Sequence, residues 1–151
     1  MKNTNTKNWF EEGNYWVKKE NYSKAIECFD KAIELEPDDA LFYYAKGLVL
    51  IVLNKGEEAI ACYDKAIELK PNYAEAYYNK GDALTVLSRH EEAINCYDKA
   101  IELKPDYMDA YVQKTNALLQ LKRYKEAIAC HDKVAKLGLW ALGAIRSLDS
   151  K

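Results

Sequence analysis

The 151-residue chain is poor in several things that specialised proteins need. It has three prolines, two histidines and four cysteines, and nowhere does it run to twenty apolar residues in a row. A helix that crosses a bilayer takes about 20 such residues. The greasiest stretch, "LFYYAKGLVLIVL" at 41–53, is shorter than that and carries Lys46 in its middle, so no membrane segment is expected. The opening "MKNTNTKNWF" has no apolar stretch of signal-peptide type, and a cytoplasmic location is the expectation. Nor is there a surplus of positive charge: 22 Lys and Arg stand against 24 Asp and Glu, for a net charge of −2. Nucleic-acid binding normally asks for a basic face, so no nucleic acid is expected as a partner. No Cys-x-x-Cys pair occurs, and "HEEA" at His90 lacks the second histidine of a zinc-protease helix. Without a glycine-rich phosphate loop or a nucleophile beside a base, the expectation is no metal, no cofactor and no enzymatic activity.

What the chain does have is repetition. "KAIECFDKAIELEP" at 24–37 returns as "EAIACYDKAIELKP" at 58–71, as "EAINCYDKAIELKP" at 92–105, and in worn form as "EAIACHDKVAKLGL" at 126–139. Pro37, Pro71 and Pro105 are equally spaced, and units 40–73 and 74–107 agree at most of their places. A fixed period of this length signals a solenoid. Within a unit the apolar positions follow the 3.6-residue period twice, as with Tyr77, Gly81 and Leu84, then Ala93, Ile94, Tyr97, Ala100 and Ile101. Proline stops each second helix because it has no N–H to donate. Asp39, Asn72 and Asp106 are candidate side-chain caps for the helix that follows. Short connections make neighbouring helices antiparallel, which yields eight helices in four hairpins.

The pattern of large, small and aromatic residues resembles the tetratricopeptide repeat. It is carried by Trp9, Gly13, Trp16, Ala25, Phe29, Ala32 and Pro37 in the first unit. The second has Tyr43, Gly47, Leu50, Ala59, Tyr63, Ala66 and Pro71, and the third Tyr77, Gly81, Leu84, Ala93, Tyr97, Ala100 and Pro105. The fourth departs, with Thr115 for glycine, His131 for the ring, Val134 for alanine and Leu139 for proline. The resemblance implies an all-α fold, a right-handed α-solenoid of four helix-turn-helix repeats (6–39, 40–73, 74–107 and 108–141). Residues 1–5 precede it. The tail, 142–151, has the apolar spacing of a short C-terminal capping helix. That tail is either a minimal cap, a point where a longer chain continues, or an apolar end that meets another copy.

The resemblance also locates a site. In that family the outward sector of each first helix lines a concave groove where peptides bind. The second repeat is the apolar centre of that sector, with Leu41, Tyr44, Leu48, Ile51 and Val52. The first repeat contributes Phe10, Asn14 and Val17, the third Tyr78, Asn79 and Asp82, and the fourth Val112 and Asn116. Such a surface suits a protein or peptide partner with an apolar or mildly basic segment, and the chain reads as an interaction scaffold or adaptor. The competing reading is a self-associating structural module, a homo-oligomer built on the same stripe or on the C-terminal end. Some relatives clamp the C-terminal carboxylate of chaperones with lysine, asparagine and arginine. Here those places hold Phe10, Asn14, Ala45, Glu75 and Asn79, and Glu75 would repel a carboxylate.

Three other sets of residues carry expectations. Cys28, Cys62, Cys96 and Cys130 take the same place in successive units, and stacked helices lie too far apart for a disulfide between equivalent positions. His90 is expected in a turn and His131 as a packed core ring. Lys46, Lys80 and Lys114 also recur; each either reaches an acid on the preceding helix, such as Asp64 or Glu68 for Lys80, or keeps a solvated head.

Overall fold

Each unit folds into two helices for reasons visible in its residues. In the structure, a computed structural model that describes residues 4–149 and side chains over 5–138, the helices are Thr4–Lys18 (α1), Tyr22–Leu35 (α2), Ala40–Val52 (α3), Gly56–Leu69 (α4), Ala74–Val86 (α5), His90–Leu103 (α6), Met108–Gln120 (α7) and Tyr124–Asp149 (α8). The described residues include no strand. Helices pair as α1–α2, α3–α4, α5–α6 and α7–α8, and each pair packs on the next. In addition α3 touches α5, and α5 touches α7. The first helices of successive repeats thus draw together, which makes theirs the inner side of the stack. No helix among the described residues is long and apolar enough to cross a membrane.

The hairpins close on a glycine. The Tyr63 ring lies so near Gly47 that a Cβ there would sit 2.6 Å from Cε1, and Tyr97 crowds Gly81 at 2.5 Å. Both rings are fully buried, as are Ala59, Ala66, Ala93 and Ala100 around them. Small residues let the helices approach while the ring fills the gap beside them. The turn inside each hairpin is a left-handed residue without glycine: Glu20, Asn54, Ser88 and Lys122 have φ of 57°, 58°, 59° and 59°. After α3 the Asn54 amide donates to the Ile51 carbonyl and Lys55 to that of Leu50, and after α5 Ser88 donates to Thr85 and Arg89 to Leu84. This is the paired bonding that ends a helix through one left-handed residue.

Several expectations are corrected by the structure. Asp39 caps α3 through the Leu41 amide, at 3.0 Å. Asn72 and Asp106 do not cap, because Tyr73 and Tyr107 hold the N-cap positions of α5 and α7 and make no side-chain bond there. Asp39 aligns with those tyrosines; Asn72 and Asp106 lie one residue too early. His90 is the first residue of α6 and not part of the turn. The closing segment is no separate helix: α8 runs unbroken to Asp149, since Leu139 stands where proline stops α2, α4 and α6. His131 is exposed and not a core ring. Where the other hairpins set a buried ring against glycine, the fourth has Thr115 in that place, and Thr115, Leu119, Ala127, Ile128 and His131 line an open apolar hollow.

The recurring lysines do find acids. Lys46 donates to Asp30 at 2.6 Å, and Lys80 to Asp64 and Lys114 to Asp98 at 2.5 Å each. Each pair ties a first helix to the second helix of the preceding repeat, and Glu68 is not the partner of Lys80; it pairs with Lys65. Asp64 and Asp98 remain about half exposed, so each bridge is worth no more than about 1 kcal/mol. Their effect is on register, since one bridge recurs at every junction between repeats. The four cysteines are free thiols, and burial pushes the Cys28, Cys62 and Cys96 thiols above their usual range.

Candidate partner-binding surface

Helix α3 is apolar on nearly every side, and the fold uses only part of it. Phe42, Ala45, Gly47, Val49 and Leu50 are buried. On the inner side Leu41 and Leu48 are 38% and 39% exposed, and Val52 is 59% exposed. Tyr44 and Ile51 are half-buried against the core. Tyr44 stacks on Tyr73 with centroids 4.8 Å apart and meets the Tyr63 ring at 6.1 Å. Its hydroxyl accepts a hydrogen bond from Asn79 Nδ2 at 3.0 Å, and Asn79 also donates to the Glu75 carbonyl. Tyr44 is therefore a fixed wall of this surface.

The residues expected from the first repeat lie closer to the core. Phe10 is half-buried, stacking on Phe29 at 5.7 Å and Phe42 at 5.2 Å, and Val17 packs into the same cluster. Asn14 is half-buried. Phe10 therefore seals the joint between the first two repeats more than it offers a free face. At the far end Val112 is exposed, and Asn116, also exposed, donates to Gln113.

The third repeat holds a polar network in the same places. Asp82 stands where α3 has Leu48, and Thr85 where it has Ile51. The Tyr97 hydroxyl donates to Asp82 Oδ1 at 2.8 Å and lies 3.0 Å from Thr85 Oγ1. Tyr78 stacks on Tyr107 at 5.1 Å. Burial raises the Asp82 carboxyl above the usual carboxylate range, against the Tyr97 and Tyr78 hydroxyls that lower it. Burial likewise pushes the Tyr78 and Tyr73 hydroxyls up to about 12, so these rings present neutral hydroxyls. In the second repeat the equivalent Tyr63 hydroxyl has no partner, because Leu48 and Ile51 offer none.

Of the expected residues, Leu41, Tyr44, Leu48, Ile51, Val52, Tyr78, Asn79 and Asp82 sit on α3 and α5, which touch on the inner side. Tyr73 and Tyr107 belong with them and were missed by sequence reasoning. The signal was there: each follows the Pro-Asn or Pro-Asp of a linker, at the same place in successive units. Among the described residues no group of three His, Cys, Asp or Glu side chains could hold a metal ion.

Models of the tetratricopeptide repeat match residues 74–107 and 96–129, and a model of the TPR repeat matches 13–51 and 50–85. The small glutamine-rich tetratricopeptide repeat-containing protein beta of Homo sapiens is 48% identical over 33 residues, 22% of this chain and 11% of that protein. The Protein STIP1 homolog of Dictyostelium discoideum is 36% identical over 47 residues, 31% of this chain and 8% of that protein. The chain thus matches about a tenth of the length of these curated relatives. Among solved structures, MamA superimposes with a TM-score of 0.89 at 26% identity, over 92% of this chain and 81% of that one. The first TPR of Spaghetti (RPAP3), bound to the HSP90 peptide SRMEEVD, gives a TM-score of 0.76 at 25% identity, over 78% of this chain and 94% of that one.

Proposed function

Because the chain belongs to the tetratricopeptide repeat family, we propose that it is a protein-interaction module holding a peptide or protein segment along its inner face, with its apolar centre on α3. The observation that carries this reading is the exposure of Leu41, Leu48 and Val52 on a helix whose other large apolar residues the fold has already used. Contiguous exposed apolar surface of this kind marks interaction sites. With roughly two fifths of its surface free, Leu48 alone has about 1 kcal/mol to gain by being covered. The peptide-bound neighbour supports a segment as the occupant, the first TPR of RPAP3 being seen with an HSP90 peptide.

That neighbour's peptide, SRMEEVD, is acidic, and here Glu75 and Asp82 lie along the inner face of α5; this chain should leave such a peptide unbound. Leu48→Glu tests the main reading, because it places a charge on the stripe at a residue that is 39% exposed. Segment binding should disappear while circular dichroism shows the helices retained and melting falls only modestly. Binding that survives Leu48→Glu would refute the assignment.

A second reading, self-association through the C-terminal end, is favoured by Ile128 at 63% exposure beside exposed Leu119. Sedimentation at several concentrations separates the two. A module that keeps its stripe for a partner stays monomeric, whereas end-to-end association is concentration-dependent and is abolished by Ile128→Glu.

A further inference from the structure

Two adjacent repeats present opposite chemistry at equivalent places on the inner face. Where α3 has Leu41 and Leu48, α5 has Glu75 and Asp82, and α7 repeats the acid with Asp109. Asp82 is half-buried and held by the Tyr97 hydroxyl at 2.8 Å, while Glu75 and Asp109 are exposed. Among the described residues no cation pairs with any of the three. The lysines of the same helices are already engaged, Lys80 with Asp64 and Lys114 with Asp98. A carboxylate held part-way out of water without a counter-charge is costly.

The surroundings suit a cation. Tyr78 lies on α5 between Glu75 and Asp82, one turn from each, with its ring fixed against Tyr107. A positive head group near a tyrosine face gains from the ring as well as from the acid. A second, independent observation comes from the neighbouring repeat. The Tyr63 side chain is fully buried and its hydroxyl has no partner, although the equivalent Tyr97 hydroxyl is directed at the inner face, where it meets Asp82 and Thr85. The Tyr63 hydroxyl is itself sealed from solvent, so what an arriving basic group can answer directly is the Asp82 carboxylate, which no cation among the described residues pairs.

We propose that the segment bound here is cationic: an apolar stretch covers Leu41, Leu48 and Val52, and an adjacent lysine or arginine seats its head group on Asp82 against Tyr78, drawn in by Glu75 and Asp109. The inference rests on the inner face of α3 and α5 being the docking surface, and it adds the charge of the occupant. Glu75 lies two helical turns, about 10 Å, from Asp82, so Asp82 is the seat and Glu75 acts at longer range. Exchange of the apolar and acidic repeats would reverse the order in which the partner must present its residues.

The test is a display library of random short peptides, panned on the whole chain and on its Leu48→Glu, Asp82→Asn and Glu75→Gln variants. The parent chain should enrich sequences that place lysine or arginine next to an apolar run. Asn at 82 keeps the bond from Tyr97, so the fold is retained; it should weaken a selected peptide about tenfold, and replacing the peptide's basic residue by glutamine should weaken it equally. The two changes together should cost no more than one alone. Glu75→Gln, at an exposed carboxylate with no side-chain partner, should weaken binding a few fold and only at low salt. Apolar peptides enriched without a basic preference, captured equally by Asp82→Asn and lost with Leu48→Glu, would overturn the cationic occupant and leave the docking surface standing. No enrichment, or enrichment indifferent to Leu48→Glu, would overturn both.

Discussion

Tyr63 and Tyr97 offer one substitution with opposite expected outcomes at equivalent places in neighbouring repeats. Both rings are 0% exposed and both lie over a glycine, Gly47 and Gly81. Removing either hydroxyl leaves ring packing as it was. At Tyr63 the buried hydroxyl has no partner, and an unsatisfied buried group of this kind costs roughly 1–3 kcal/mol. Tyr63→Phe should therefore stabilise the chain, by about 1 kcal/mol. At Tyr97 the hydroxyl donates to Asp82 at 2.8 Å and meets Thr85 at 3.0 Å. A hydrogen bond to a charged group is worth about 1.5–3 kcal/mol, and its loss leaves a half-buried carboxylate short of a donor. Tyr97→Phe should cost about 2–3 kcal/mol. The two variants then stand roughly 3 kcal/mol or more apart, a melting difference on the order of 6–12 °C for a chain of this size. Urea unfolding followed by circular dichroism, with equal slopes for both variants, measures it. Shifts in the same direction and of similar size would refute the account, because the two hydroxyls would then share one environment.

Other expectations concern the turns, the hairpin and the acid. Gly81→Ala brings a Cβ to 2.5 Å from Tyr97 Cε1; overpacking against a buried ring costs about 1–3 kcal/mol and outweighs the roughly 1 kcal/mol of helix propensity gained, so chemical denaturation should show a net loss. Ser88→Gly relieves a left-handed φ of 59° and should raise stability by about 0.5–1 kcal/mol, whereas Asn54→Gly at φ 58° should change little, since asparagine tolerates that region. Asp82→Asn should stabilise at neutral pH, because burial raises the native carboxyl above its unfolded value, with Asp109 adding to the shift. In the parent chain the native state takes up this proton first as pH falls, so the gap between the two should shrink on acidification and vanish below about pH 4, near the unfolded carboxylate value. Melting the pair across pH checks the sign, and a gap that widens toward acid would contradict it.

The balance of legible and illegible features follows from which physics acts over short distances. The repeat period, the pairing of helices and the fully buried rings at 29, 63 and 97 follow from spacing alone, since one side chain in each turn must face the partner helix. The recurring lysines were readable only in part: Asp30, Asp64 and Asp98 return at one constant offset before them, but so do Glu34, Glu68 and Glu102, and the choice of acid came with the structure. His131 was not. Its place in the period says ring, but Thr115 stands opposite it instead of glycine, and only the assembled hairpin shows the ring outside and an open hollow between the two. The uncapped starts at Tyr73 and Tyr107 were misjudged by one residue, a matter of register that composition does not contain.

The inner surface divides in the same way. Sequence by itself determined that α3 carries more apolar side chains than a hairpin can bury, because helical period and repeat register are local and count outward from any residue. Tertiary structure decided what each of those side chains became. Phe10 turned into a joint between repeats, Tyr44 into a wall held by Asn79, and Leu48 stayed free. It also decided that Tyr63 and Tyr97, alike in sequence, differ in their bonds, for a hydroxyl's partners come from a neighbouring helix several turns away along the chain. Contacts between helices, and the charges they leave unpaired, depend on distance in space, and that exists only once the stack has formed.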